Sequence, residues 1–152
     1  MNTNDQKIEA ARREALDSFL GLRSNCTEAL LRSLRNHLDL NLSDEQLAIA
    51  TGFGGGMGAG CACGTLTGAV IAVSLENGRK PGVISENPPK ASLLAKELHD
   101  FFKENHQITC CRGLIPGLKK GDPERTKRCS QFVDEMTKKA AEIILREREN
   151  RK

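Results

Sequence analysis

Residues 51–64 read TGFGGGMGAGCACG, and residues 65–78 follow without a break as TLTGAVIAVSLENG. Seven of the first fourteen residues are glycine, which disfavours both helix and strand interiors, so the stretch reads as a loop. The second segment is apolar nearly all round. It reads as a buried central helix, although its β-branched residues also suit a strand. Upstream, Ile8, Ala11, Ala15 and Phe19 recur at helical spacing between charged residues. Asn25 with Glu28 forms a capping box, opening a helix with Cys26, Leu30, Leu34 and Leu38 on one face. Ser43 with Gln46 is a second box, for a short helix to about Ala50.

Downstream, KPGVISENPP is a loop, and Asn87 before Pro88 starts a helix whose buried face is Leu94, Leu98, Phe101 and Phe102. ITCCRGLIPG is a turn or a single helical turn. Asp122-Pro123 caps a last helix with a stripe of Cys129, Phe132, Val133, Met136, Ala140, Ile143 and Ile144, and RERENRK ends the chain as a solvated charged tail. The expectation is an all-α, single-domain bundle of about five or six helices over 1–152, with an ordered core from about 5 to 147.

Lysine and arginine total 23 and acids 20, a net charge of +3, and the aromatics are five phenylalanines. That balance is too mild, and the aromatic set too poor, for nucleic acid. No apolar run spans a membrane. The start, MNTNDQKIEAARREA, has two acids in its first nine residues and no apolar core. It is not a signal peptide, and the expected compartment is the cytoplasm.

Six cysteines stand out: Cys26, Cys61, Cys63, Cys110, Cys111 and Cys129. A cytosolic chain of this size needs no disulfide framework, so metal or redox chemistry is the better reading, against small buried hydrophobes as the plain one. All but Cys129 fall at or just before an expected helix start, where amides and the helix dipole favour a thiolate and lower its pKa. Cys129 lies on an apolar helix face, so four separate elements each offer sulfur toward one interior. The lack of any C-x-x-C argues against a thioredoxin-like site, a zinc ribbon and a bacterial ferredoxin run.

Residues 54–59 do fit G-x-G-x-x-A, with Glu76 at a suitable distance, but a capped helix precedes them where a strand is needed. The better reading of Gly54, Gly55, Gly56, Gly58 and Gly60 is close approach of backbone N–H groups to a sulfur-rich site. His37, His99 and His106 read as surface or half-buried residues, and no Ser/His/Asp signature identifies a catalytic site or a substrate.

LNLSDEQLAIATGFGGGMGAGCACGTLTGAV resembles the central block of the C-GCAxxG-C-C family of redox-active proteins. Asn25 to Ala29 resembles its first cysteine segment, and Cys63-Gly64-Thr65-Leu66-Thr67-Gly68 its second, with Thr65 in place of the usual alanine. Cys111-Arg112 resembles the third, and Cys129 the fourth. Cys61 and Cys110 are additions to that pattern. A similar region in split-Soret cytochromes accompanies an iron–sulfur centre. The resemblance therefore implies an iron–sulfur cluster, [2Fe–2S] or [4Fe–4S], on Cys26, Cys63, Cys111 and Cys129, with Cys61 and Cys110 as additional candidates.

Two rivals remain: a metal-free relay in which Cys61/Cys63 or Cys110/Cys111 cycle between dithiol and disulfide, and a soft-metal or zinc protein. The expected partners are a redox protein and, through the exposed cysteine-bearing turn, a second copy of the chain.

Overall fold

The computed structural model describes residues 1–84 and 87–152. Among these, six α-helices form an all-α bundle: α1 (Thr3–Leu20), α2 (Cys26–Leu38), α3 (Gly64–Asn77), α4 (Lys90–His106), α5 (Cys111–Leu114) and α6 (Pro123–Asn150). A 3-10 helix over Gln46–Phe53 leads into the glycine loop. The central segment is helical, and α3 packs against α2, α4 and α6 while α1 covers α2 and α6. Ala69, Ala72 and Val73 of α3 are wholly buried against Leu30, Leu34, Leu98, Met136 and Ile144. Small residues on α3 let three neighbours crowd it, so an all-round apolar helix becomes the hub.

The helix starts follow from local chemistry. Asn25 accepts from the Glu28 amide at 2.9 Å while Glu28 accepts from the Asn25 amide at 3.2 Å. This places Cys26 at the first position of α2. Asp122 caps α6 through the Glu124 amide at 2.9 Å. Ser43 and Gln46 also form their reciprocal box, but the helix they open is 3-10 and runs on to Phe53. Short connectors favour that tighter geometry.

Two expectations change. The helix expected at Pro88 begins at Lys90, with Pro89 as its extended cap (φ −69°, ψ 152°), because a residue followed by proline is pushed out of the α region. Of the loop KPGVISENPP, Ser85 and Glu86 lie outside the described residues. The charged tail is exposed over residues 149–152, as expected, but α6 continues to Asn150 and Glu147 and Arg148 are drawn against the bundle. Glu147 is 4% exposed and accepts from Lys90 at 2.8 Å and Arg146 at 3.0 Å. Arg148 and Arg151 pair with Glu76 of α3, and Arg148 also donates to the Leu38 carbonyl at 2.5 Å. Charge alone suggested solvation; the helical register instead carries these cations onto the C-terminal ends of α2 and α3.

The tightest point is where α2 and α3 begin. Thr27, wholly buried, donates its hydroxyl to the Gly64 carbonyl at 2.9 Å. A Cβ on Gly64 would lie 2.5 Å from Cys26 Sγ. Gly64→Ala is therefore expected to lower stability by about 1–3 kcal/mol. Gly52→Ala, at a glycine with nothing within 4 Å and no left-handed φ, should be neutral or slightly stabilising. Denaturant midpoints of the two variants test the comparison, and equal midpoints would refute the close approach.

Candidate metal centre

Four of the six cysteines are set by one backbone clip. Cys63 N–H donates to the Thr109 carbonyl at 2.8 Å and Cys111 N–H to the Cys61 carbonyl at 2.5 Å. Ala62 and Cys110 thus face each other as an isolated antiparallel pair. This two-bond clip ties the start of α3 to the start of α5. Cys63 is the N-cap of α3 and Cys111 the first residue of α5.

The glycine loop makes the approach possible by turning the wrong way. Gly55, Gly56, Met57 and Gly58 all have φ between +62° and +67°, a left-handed turn that side chains resist at about 1–2 kcal/mol per residue. Gly56 inside it is buried, and a Cβ there would lie 2.5 Å from the Cys61 nitrogen and 2.9 Å from Cys111 Cβ.

Cys26, Cys63, Cys111 and Cys129, from four helices, line one cavity of about 680 Å³; Cys61 and Cys110 do not line it. Cys61 is exposed, and the Cys110 thiol donates to the Gly60 carbonyl at 3.0 Å on the outer side of the clip. Of the loop glycines, Gly54 and Gly55 line the cavity, Gly56 backs onto Cys61 and Cys111, Gly58 is exposed, and Gly60 packs on Arg112. Phe19, Leu114, Ile115 and Phe132 complete the apolar wall, and Arg23, Lys120 and Arg125 bring positive charge to it. None of these three cations has a carboxylate partner among the described residues. Glu28, the lining carboxylate, is spent on its cap. Sequence reasoning missed the cations, although Arg125 stands four residues before Cys129, one helical turn on the same face.

Cys63 and Cys111 are not the low-pKa thiolates that their helix starts suggested. Burial pushes Cys63 up to about 12, with the nearby Cys26 adding to the rise and the Thr65 hydroxyl opposing it. Burial likewise pushes Cys129 to about 11, with Cys26 and Cys111 adding and Arg125 opposing, and it raises Cys111. Desolvation outweighs the helix dipole here. Cys110 alone is lowered, through the Gly113 amide first and Arg112 after it. Cys26 contributes to the rise at Cys63, Cys111 and Cys129, which places its sulfur within electrostatic reach of all three.

Histidines stay out of the site. His37 pairs with Glu14, His99 with Asp100 and His106 with Glu135. Glu76, the acid of the nucleotide-loop match, is held by Arg148 and Arg151, which keep its carboxyl below the usual range. Among the described residues no three His, Cys, Asp or Glu side chains form a group that could hold a metal ion in this conformation. No described helix is long and apolar enough to cross a membrane.

Four cysteines at this order and spacing decide the family. This chain belongs to the C-GCAxxG-C-C family, whose model matches residues 24–143 and is described as "putative redox-active protein". The match takes in all six cysteines and the glycine loop. The chain is also similar to a protein of Archaeoglobus fulgidus described as "Uncharacterized protein", at 28% identity over 147 residues, covering 92% of this chain and 94% of that one. No solved structure matches.

The raised thiols give a stability prediction for the reduced, metal-free protein. A thiol whose folded pKa lies above its ordinary value near 9 stabilises the fold fully below pH 9. That contribution is lost as pH rises toward about 12. Denaturant midpoints should therefore fall across this window, and Cys63→Ala should flatten the fall. A profile as steep in Cys63→Ala as in the wild type would contradict the assignment.

Proposed function

We propose that the protein is an iron–sulfur redox protein whose cluster is held by Cys26, Cys63, Cys111 and Cys129. The observation that carries this reading is the partition of the cysteines: these four line one cavity, and Cys61 and Cys110 stand outside it. The donor set fits, since four cysteine thiolates are the ordinary ligands of both [2Fe–2S] and [4Fe–4S] centres. When bound, such a centre accepts and releases single electrons, which suits electron transfer or redox sensing.

The chain's own residues have separate tasks in this reading. The four sulfurs give up their protons and bind, which relieves the repulsion and desolvation that raise the thiol pKa values. Phe19, Leu114, Ile115 and Phe132 exclude water. Arg23, Lys120 and Arg125 offset negative charge, with Arg125 acting directly on Cys111 and Cys129.

A metal-free relay on Cys61/Cys63 fits less well, because its attacking thiol should be a ready thiolate, whereas burial holds Cys63 at about 12; on Cys110/Cys111 the lowered thiol, Cys110, stands outside the cavity that the other four share. A single zinc ion would gather all four sulfurs about one centre. Cluster irons share the ligands among themselves, which suits sulfurs spread round a wide cavity.

Protein purified or reconstituted without oxygen should be brown and contain iron with acid-labile sulfide. Single serine substitutions at Cys26, Cys63, Cys111 or Cys129 should lose or weaken the visible spectrum and the iron content, while Cys61→Ser and Cys110→Ser keep both. Colourless protein carrying zinc alone would overturn the reading. Equal behaviour of Cys61→Ser and Cys63→Ser would overturn the ligand set.

The left-handed turn is tested by the same assay. Gly56→Ala should reduce iron content because its Cβ collides with Cys61 and displaces Cys111, whereas Gly55→Ala, open to space, should lower stability by about 1–2 kcal/mol and keep its iron. Full iron in Gly56→Ala would separate the loop from the site.

A further inference from the structure

We propose that the Thr65 hydroxyl sets the reduction potential of this site by donating a hydrogen bond to the Cys63 sulfur. The inference rests on the cluster reading above and assigns one neighbour of one ligand a role in it. Thr65 is 1% exposed and lines the cavity. Its Oγ1 lies 3.2 Å from Cys63 Sγ, and the hydroxyl has no other hydrogen-bond partner among the described residues. Both residues belong to the first turn of α3, one as N-cap and one two residues on. The β-branched side chain is stiff about its first torsion, so the helix start holds hydroxyl and sulfur together. A thiolate only accepts, so once Cys63 is a ligand the hydroxyl must be the donor.

The other sulfurs lack this arrangement. The hydroxyl nearest Cys26 belongs to Thr27, at 4.0 Å, and its proton goes to the Gly64 carbonyl at 2.9 Å. Cys129 has the Arg125 cation beside it. Among the described residues, Cys63 is therefore the one of the four proposed ligands with a buried, neutral hydroxyl donor. A donor withdraws electron density from the ligand sulfur, which favours addition of one electron to the iron and raises the potential. No bond to the sulfur forms or breaks in that step, and dithionite supplies the electron in a titration.

The test compares wild type, Thr65→Val, Thr65→Ala, Thr65→Ser and the control Thr137→Val after the same anaerobic reconstitution. Iron and sulfide per chain, melting temperature and the mediated dithionite titration are measured on each. Thr65→Val and Thr65→Ala should load normally and titrate at a more negative potential, with Thr65→Ser returned to the wild-type value. Thr137→Val, which removes a buried hydroxyl bonded within α6 away from the cavity, should leave the potential unmoved. Full loading and an unmoved potential in Thr65→Val and Thr65→Ala would overturn the proposal. Iron lost from both but kept by Thr65→Ser would overturn it too, by assigning the hydroxyl to holding the ligand. A wild type that takes up no iron and sulfide would remove the cluster reading itself, and the iron assay separates that failure from the others.

Discussion

Thr27 and Gly64 meet at the point on which the arrangement of the sulfurs depends. The hydroxyl-to-carbonyl bond joins the first turn of α2 to the first residue of α3 in a wholly buried place. It forms only because residue 64 has no side chain to strike Cys26. Cys26 and Cys63 lie one residue outside this contact on either chain, so the approach of two helix ends becomes the approach of two thiols. A second tie, the clip between residues 61–63 and 109–111, brings α5 to the same end. Cys129 then arrives on α6, whose register is fixed by its long apolar stripe against α1 and α3.

The bundle is thus polarised. One end gathers the starts of α2, α3, α5 and α6 with glycines and sulfur. The other gathers the ends of α3 and α6, the start of α4 and ion pairs, with Arg148 and Arg151 on Glu76 and Lys90 and Arg146 on the buried Glu147. Exposed pairs of this kind contribute little singly. Buried Glu147 differs, because removing either cation would leave part of a desolvated carboxylate unmatched. The apolar middle separates the two ends, so the sulfur end can hold unusual backbone and raised thiols while the rest of the bundle stays regular.

Much of this was legible in the residues. Asn25 with Glu28, and Asp122 with Pro123, announce helix starts by local hydrogen bonds, which tertiary context need not supply. The all-round apolar stretch after the glycines read as a buried central helix, with a strand as the alternative, and it is the hub; helix faces also pointed four elements' cysteines toward one interior. Less legible was whatever depends on distance through space. Helix-start logic predicted low thiol pKa values, yet desolvation is a property of the assembled interior and it prevails at Cys63 and Cys111. The pairing of the last turn of α6 with α3 was hidden for the same reason. So was the handedness of the turn at Gly55–Gly58, which glycine permits without requiring. Separating Cys63 from Cys61 needed the family resemblance; nothing in their local sequence distinguishes a cavity-facing thiol from an exposed one two residues away.

The order of the four cavity cysteines along the chain has a consequence for how the molecule comes apart. Any centre joining Cys26 to Cys129 closes a loop of roughly a hundred residues, a span for which a covalent crosslink would restrict the unfolded chain by something near 4–5 kcal/mol. The apolar bundle is large enough to fold unaided, so such a tie acts as a lock added to a finished structure. Filling and emptying that cavity then shift the melting transition. The last helix becomes the latch: until α6 has been made and docked, the fourth sulfur is missing, and the lock cannot close on an incomplete chain.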